Sequence, residues 1–322
     1  MDFITTNAYS CEDLILMLKK AVVIKQNKQD FINALAGKFL YMLFQKTSTR
    51  TALSFAAGIT ELGGSYLFQK WEDSNFCIGE IEDEARYVAT SAHACIARLK
   101  NNEDIVRLAK SAPIPVINGC CNKYHPCQAM ADMLTIFELL GTCKVNMCYV
   151  GVRNNVFNSL VSTFTRLGGV LYAITPLVNE LSNDESVIAR GRESGRLVEL
   201  EPNVAEMASI LKSVDVVYVD TWVDMELFNV PSYQMEKQRR ISTLMPFQLN
   251  ENVLAGSKAI VMHDMPMHPG YEITREVIEA NISTILQQAD NRKFGQEAIL
   301  LTLLENDHVR GLFSKCSLNV DR

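Results

Sequence analysis

Three stretches of this chain carry residue types that do chemistry. The first, Lys46-Thr47-Ser48-Thr49-Arg50-Thr51, follows an apolar run and opens a helical pattern. Hydroxyls and a guanidinium at a helix start make an anion site. The backbone N–H groups and the dipole there favour negative charge, and arginine binds phosphate oxygens in pairs. An ordinary N-cap needs only one hydroxyl, so Ser-Thr-Arg-Thr favours phosphate. The glycines and Lys-Ser/Thr pair of a P-loop are missing. The second stretch is His125-Pro126-Cys127-Gln128, with Arg98 after an earlier apolar run. Two arginines, a histidine and a glutamine together suit a phosphorylated carbonyl compound. The arginines neutralise phosphate, the histidine donates to a carbonyl oxygen, and the glutamine accepts from an amide. The third is Met262-His263-Asp264-Met265-Pro266, where an apolar run stops at a histidine and an aspartate. His263 and His268 lack the partner ligands and spacing of a zinc site. The stretch reads instead as a strand end delivering a substrate loop. Asp220-Thr221-Trp222-Val223-Asp224-Met225 ends another run, and its carboxylates would hold a cationic group.

The elements that must position these residues alternate. Candidate strands are 39–44, 65–69, 94–99, 115–118, 145–150, 170–174, 214–219 and 259–262. They are continuous apolar runs, as expected of parallel strands buried on both faces. Helical patterns lie between them at 51–62, 80–91, 103–111, 129–140, 155–167 and 204–212, and 294–312 reads as one final helix. The expectation is α/β, with two doubly wound parallel sheets. The pattern resets near Gly141, which places one domain at 1–141 plus 294–322 and a second at 142–293. Tyr149-Val150-Gly151-Val152-Arg153-Asn154-Asn155 stands where a dinucleotide fold carries three glycines, and it has one.

The 322 residues are 48% hydrophobic and 21% charged with a net charge of −6, so no basic field invites nucleic acid or anionic lipid. The opening MDFITTNAYS lacks the basic stretch and apolar core of a signal peptide, and no apolar run nears the ~20 residues of a membrane span. The expectation is a cytoplasmic protein. Nine scattered cysteines with no CxxC read as buried, reduced thiols.

Taken together, Ser48–Thr51, Leu62-Gly63-Gly64, Arg98, His125–Gln128, Arg153-Asn154-Asn155 with Asn158-Ser159-Leu160, Asp220–Met225, His263–Pro266 and Asn291-Arg292 resemble the aspartate/ornithine carbamoyltransferase family over essentially the whole chain. The resemblance implies a carbamoyl-phosphate domain, an amine-acceptor domain and a last helix returning to the first. It implies transfer of a carbamoyl group to the amine of ornithine or a related basic amino acid or diamine, with release of phosphate and a place in arginine metabolism. It implies no cofactor and no metal, and a trimer, or a multiple of trimers, with active sites at subunit borders. Ser48, Thr49, Arg50 and Thr51 would bind phosphate, Arg98 and His125 would polarise the carbonyl, and Gln128 would hold the carbamoyl amide. Arg292 would complete this site, with the backbone at Met265 meeting the carbamoyl group. Asn155, Asp220, Asp224, Met225 and Asp264 match acceptor-binding positions. A neighbouring subunit's loop would come from Lys70–Gly79, with Trp71 and Glu72 as candidates.

Asn155 and Met267 stand where aspartate enzymes carry arginines for a dicarboxylate. Three positions also depart from the ornithine pattern: Asp224 in place of serine, Asp264 in place of cysteine, and Ala52 in place of arginine. Two added carboxylates make the acceptor site more anionic, which raises an amine's pKa and opposes its attack. Asp264 either takes the amine's proton as a base or binds a second cationic group. Two other classes stay open: a non-catalytic carbamoyl-phosphate-binding paralogue with a regulatory or assembly role, and, more distantly, a nucleotide-dependent oxidoreductase.

Overall fold

The computed structural model describes residues 1–316, so the last part of the expected segment 294–322 lies outside the described residues. The chain divides into two compact units, Met1–Leu134 with the chain from Asp290 on, and Thr135–Ala289.

The first unit runs α1 (Cys11–Gln26), β1 (Phe39–Phe44), α2 (Thr49–Glu61), β2 (Ser65–Lys70), α3 (Ile81–Val88), β3 (Ala94–Arg98), α4 (Asn102–Ser111), β4 (Val116–Asn118) and α5 (Pro126–Leu140), the last crossing into the second unit. Four strands pair in parallel in the order β2-β1-β3-β4. Leu40, Met42, Leu43, Ile96 and Ala97 are fully buried, as the unbroken apolar runs require of strands covered on both faces. A core of Leu43, Cys95, Ala97, Leu99, Ile105 and Leu108 packs α4 against one face.

The second unit contains β5 (Asn146–Arg153), α6 (Asn155–Phe164), β6 (Val170–Val178), α7 (Glu185–Glu193), β7 (Leu197–Glu199), α8 (Val204–Ile210), β8 (Val216–Val219), α9 (Gln234–Leu244), β9 (Ile260–His263) and the start of α10 (Arg275–Leu303). Its five strands pair in parallel in the order β7-β6-β5-β8-β9. Val150, Val217, Val219 and Val261 meet Met207, Leu211, Val277 and Ile278 in its core. The two doubly wound parallel sheets are those expected. Gly151, at φ +143, sits where the β5–β6 register shifts, a backbone turn open to glycine.

Three expectations need correction. The segment 294–312 is not one helix: α10 ends at Leu303 and α11 (Asp307–Lys315) begins anew. Asn306 makes the break, because its side chain accepts from the Val309 N–H and caps the second helix. Strand β7 was not anticipated, since three residues on a sheet edge carry no run long enough to register. The cysteines are not uniformly buried. Cys77 is exposed, and Cys11, Cys143 and Cys316 are half-buried. Burial pushes the Cys95, Cys127 and Cys148 thiols up to about 12, which leaves them unreactive. Among the described residues no helix is long and apolar enough to cross a membrane.

Candidate active site

In each sheet the strand order reverses once. Ligands of open α/β sheets bind beyond the carboxyl ends of the strands at that reversal. In the first unit the reversal falls between β1 and β3. Phe44 and Arg98 are register partners there, so the 45–48 loop and Arg98 leave the same edge side by side. Ser48 caps α2, its Oγ accepting from the Thr51 N–H at 3.1 Å. Thr49, Arg50 and Thr51 form the first turn of that helix. His125 stands just ahead of α5, its carbonyl accepting from Gln128 and Ala129 N–H groups. Arg292 on α10 ties the pieces together, donating to Gln128 Oε1 and, at 2.6 Å, to Thr51 Oγ1. Gln128 in turn donates to the buried Asp132 carboxylate at 2.8 Å. Every residue expected to bind phosphate or the carbamoyl group in this unit is therefore found at one edge of one sheet.

The electrostatics of this edge are one-sided. Arg98 is only 3% exposed. Among the described residues its guanidinium makes a single long hydrogen bond, 3.5 Å from Nη1 to the Gly119 carbonyl, and its Nε is buried with no acceptor. Burying a charge with so little compensation costs several kcal/mol, and an anionic ligand would remove the cost. Burial, reinforced by Arg292, Arg98, Arg50 and Lys46, holds the His125 imidazole well below its ordinary value. It is neutral at physiological pH, as a hydrogen-bond partner for a carbonyl should be.

A stability prediction follows from that imidazole. Its folded pKa lies below the unfolded 6.5, so the unfolded chain binds the extra proton as pH falls. Stability is complete above pH 6.5 and declines below it, by about 1.4 kcal/mol per pH unit, until the folded pKa is reached. Urea midpoints measured from pH 7 to 5 should show a shallower decline in His125→Gln than in the wild type. Equal slopes would show that another group governs acid sensitivity.

In the second unit the reversal lies between β5 and β8. Asn154 follows β5 and does two jobs. Its Oδ1 caps α6 through the Val156 and Phe157 N–H groups, and its Nδ2 donates to Asp220 Oδ2 at 2.7 Å. The Thr221 N–H holds the other Asp220 oxygen at 2.6 Å. Asn155, expected to bind acceptor, is the first residue of α6. Ligating atoms of Asp220, His263 and Asp264 all lie within 4.8 Å of one another. Burial, and then the Asp264 carboxylate beside it, pushes the Asp220 carboxyl well above the usual range. A proton on Asp220 is therefore favoured.

His263 anchors the loop that presents Asp264. Its Nδ1 accepts the Met265 N–H at 2.9 Å, and its Nε2 faces Glu272 Oε1 at 3.2 Å. This fixes the tautomer as Nε2–H. Burial raises the Glu272 carboxyl, but hydrogen bonds from His263 and His268 outweigh it and hold it below its ordinary value. With both ring nitrogens engaged, His263 could ligate an ion only by releasing one of these bonds. Met265 itself sits at φ +61, and the Met265–Pro266 peptide is cis.

The two added carboxylates do not form one cluster. Asp264 belongs with Asp220, whereas Asp224 accepts from Asn179 Nδ2 at 3.3 Å and faces Arg240 Nη1 at 3.5 Å. Met225 begins the short turn Met225–Leu227 beside it. The expected surplus of negative charge is thus reduced twice, by the proton on Asp220 and by Arg240. The sequence offered no signal for Arg240, which is 16 residues from Asp224 in an unremarked polar helix. Asn154 was visible as part of a motif, but its grip on Asp220 was not.

Two parallel sheets, one with cationic side chains at its strand reversal and the other with carboxylates, place the chain in the α/β class. The carbamoyl-phosphate-binding domain of the aspartate/ornithine carbamoyltransferases matches residues 1–138, and their Asp/Orn-binding domain matches residues 143–303. Ornithine carbamoyltransferase of Bacillus subtilis is 36% identical over 94% of this chain and 93% of its own. That of Methanospirillum hungatei is 37% identical over 94% and 99%. The solved structure of the Pyrococcus furiosus ornithine carbamoyltransferase superposes with a TM-score of 0.85 at 34% identity, covering 95% of this chain and 98% of that one. The chain belongs to the aspartate/ornithine carbamoyltransferase family.

Proposed function

We propose that this enzyme moves the carbamoyl group of carbamoyl phosphate to the side-chain amine of ornithine or a closely related basic amino acid. The observation that carries the donor half is the buried, thinly bonded Arg98 beside a neutral His125. Phosphate binds Ser48, Thr49, Arg50 and Thr51 at the start of α2. Arg98 and His125 polarise the carbonyl, and Arg292 orients Gln128, whose carbonyl oxygen keeps a lone pair for the carbamoyl amide. Met265 is assigned to the carbamoyl group through its backbone.

The acceptor half falls to Asn155, Asp220, Asp224, Met225 and Asp264. Asp264 takes a proton from the arriving ammonium group, and the neutral amine attacks the carbamoyl carbon. The C–N bond forms, charge builds on the carbonyl oxygen under Arg98 and His125, and the C–O bond to phosphate breaks. The second proton leaves the nitrogen with the phosphate. Fixed donors aimed at that oxygen supply the main electrostatic gain, and holding both substrates removes much of the entropic barrier.

The working form is assigned as a homotrimer or a multiple of it. Tyr66, Leu67 and Phe68 on the edge strand β2 are exposed just before the 70–79 loop. Such an edge is ordinarily covered. Trp71, one candidate for reaching a neighbour, packs on Phe76 of its own unit at 5.6 Å, which leaves Glu72 the better candidate. A cytoplasmic setting suits nine cysteines that are all free thiols.

The test is phosphate release from carbamoyl phosphate with a panel of amines. Turnover with ornithine or another basic amino acid is expected. Carbamoyl phosphate binding with no acceptor ever consumed would instead mark a binding paralogue. Ornithine turnover at ordinary efficiency, unchanged by Asp264→Cys and Asp224→Ser, would rule out any retuning of the acceptor site.

A further inference from the structure

Helix α10 meets α2 through a hydrogen bond, an ion pair and a buried carboxyl. Arg292 donates to Thr51 Oγ1 at 2.6 Å, and Lys293 pairs with Glu61 at 2.7 Å. Glu297 lies against Gly58. A methyl group on Gly58 would stand 3.0 Å from Glu297 Cγ and 3.4 Å from its Oε1, so the bare glycine leaves the room that the carboxyl fills. Glu297 is 1% exposed, and among the described residues its buried Oε1 has no hydrogen-bond partner. No step of carbamoyl transfer uses it. The charged groups that act on it are Glu61 of α2, Lys293 and Asp290 of α10, and Lys28 of the turn Lys28–Phe31. Neither lysine is reserved for it. Lys293 is paired with Glu61, and both lysines stand 4.8 Å from the centre of the Phe294 ring. Burial, and then the Glu61 carboxylate, pushes the Glu297 carboxyl up to about 8, with Lys293 and Lys28 offsetting this only in part.

We propose that Glu297 gates donor binding by a single proton: protonated, it seats α10 on α2 with Arg292 on Thr51 and Gln128, and ionised, it drives α10 off that seat. A neutral carboxyl fits the niche at Gly58. A carboxylate there is a buried charge with an unpaired oxygen beside the like charge of Glu61, which is costly. Movement of α10 toward water relieves that cost, and Arg292 lies little more than one turn earlier on the same helix. Its departure from Thr51 and Gln128 removes a cation from the donor site and releases the amide that it orients. By reciprocity, a bound donor keeps the proton on Glu297. This inference rests on the proposed binding of carbamoyl phosphate and adds a control by pH to it.

The experiment compares the full chain with Glu297→Gln from about pH 6.5 to 9, reading the KM for carbamoyl phosphate and the urea midpoint. In that range the His125 contribution is complete, and the thiols titrate alike in both proteins. At the acid end the two should share one KM and one kcat. At the alkaline end the wild-type KM should be about tenfold that of the variant, because the competent fraction falls about tenfold per pH unit above the midpoint of the gate. The folded wild type keeps a proton that its unfolded chain has already lost, so its stability should fall relative to the variant as pH rises to about 8, and no further. Glu61→Gln removes the like charge and frees Lys293, so the break in KM should move to lower pH. This second variant tests the gate even where Glu297→Gln folds poorly. Identical pH profiles in wild type and Glu297→Gln, or a break that ignores Glu61→Gln, overturn the inference. A stability difference with no difference in KM makes Glu297 a purely structural group and overturns it too. A wild type that never binds carbamoyl phosphate overturns the donor reading and the gate together, while the stability difference still reports whether Glu297 ionises.

Discussion

Arg98→Met is expected to lower kcat/KM for carbamoyl transfer by about 10³-fold, which at ~1.4 kcal/mol per decade is roughly 4 kcal/mol of transition-state stabilisation. The same change should make the protein more stable. Arg98 is buried at the end of β3 and, among the described residues, has one hydrogen bond of 3.5 Å and an Nε without an acceptor. With so few partners its buried charge is a desolvation cost. A methionine of similar length removes that cost, and replacing buried ions with apolar side chains commonly stabilises by about 1–4 kcal/mol. Activity and thermal midpoint should therefore move in opposite directions. Carbamoyl phosphate should raise the midpoint of the wild type by more than that of the variant, because ligand that binds only the folded state stabilises it by mass action. Loss of both activity and stability in Arg98→Met would show that Arg98 serves the fold, and the donor half of the site would need another centre.

Asp264→Asn should reduce kcat by about 10²–10³ at neutral pH, the range for a removed general base. The deficit should shrink as pH rises. An alkyl ammonium loses its proton unaided near pH 10 to 10.5. Without Asp264 the rate should climb about tenfold per pH unit toward that value, whereas the wild type should be flatter. The neighbouring acid should respond as well. After burial, the Asp264 carboxylate is the next cause of the high Asp220 pKa. Its loss lets Asp220 ionise at lower pH, so the variant keeps a single negative charge for binding the ammonium. The KM for the acceptor should accordingly change less than kcat. A variant within threefold of wild type and with the same pH profile would remove Asp264 from the proton path.

Much of this protein was legible without coordinates. The strand runs were visible because parallel strands buried on both faces must be apolar throughout. The residues proposed to bind the donor stood out because each sits immediately after a strand or at a helix start, where local chemistry and position coincide. Ser48 to Thr51, Arg98, His125 and Gln128 are all of this kind. The final helix was misread because Asn306 interrupts it through a single side-chain cap, which a hydrophobic pattern does not record. Strand β7 escaped because its three residues borrow their order from β6.

The acceptor half divides at the same line. By itself the sequence determined that aspartates stand at 220, 224 and 264, and that two of them replace uncharged residues of the family pattern. Only the tertiary structure decided what those charges amount to. It set Asp264 beside Asp220, whose carboxyl is raised by burial and by that neighbour, and it brought Arg240 from α9 to Asp224. The physical reason is that electrostatic energy depends on distance and solvent exposure, not on separation along the chain. Residues 16 and 44 positions apart become neighbours only when the strands and helices that carry them have packed.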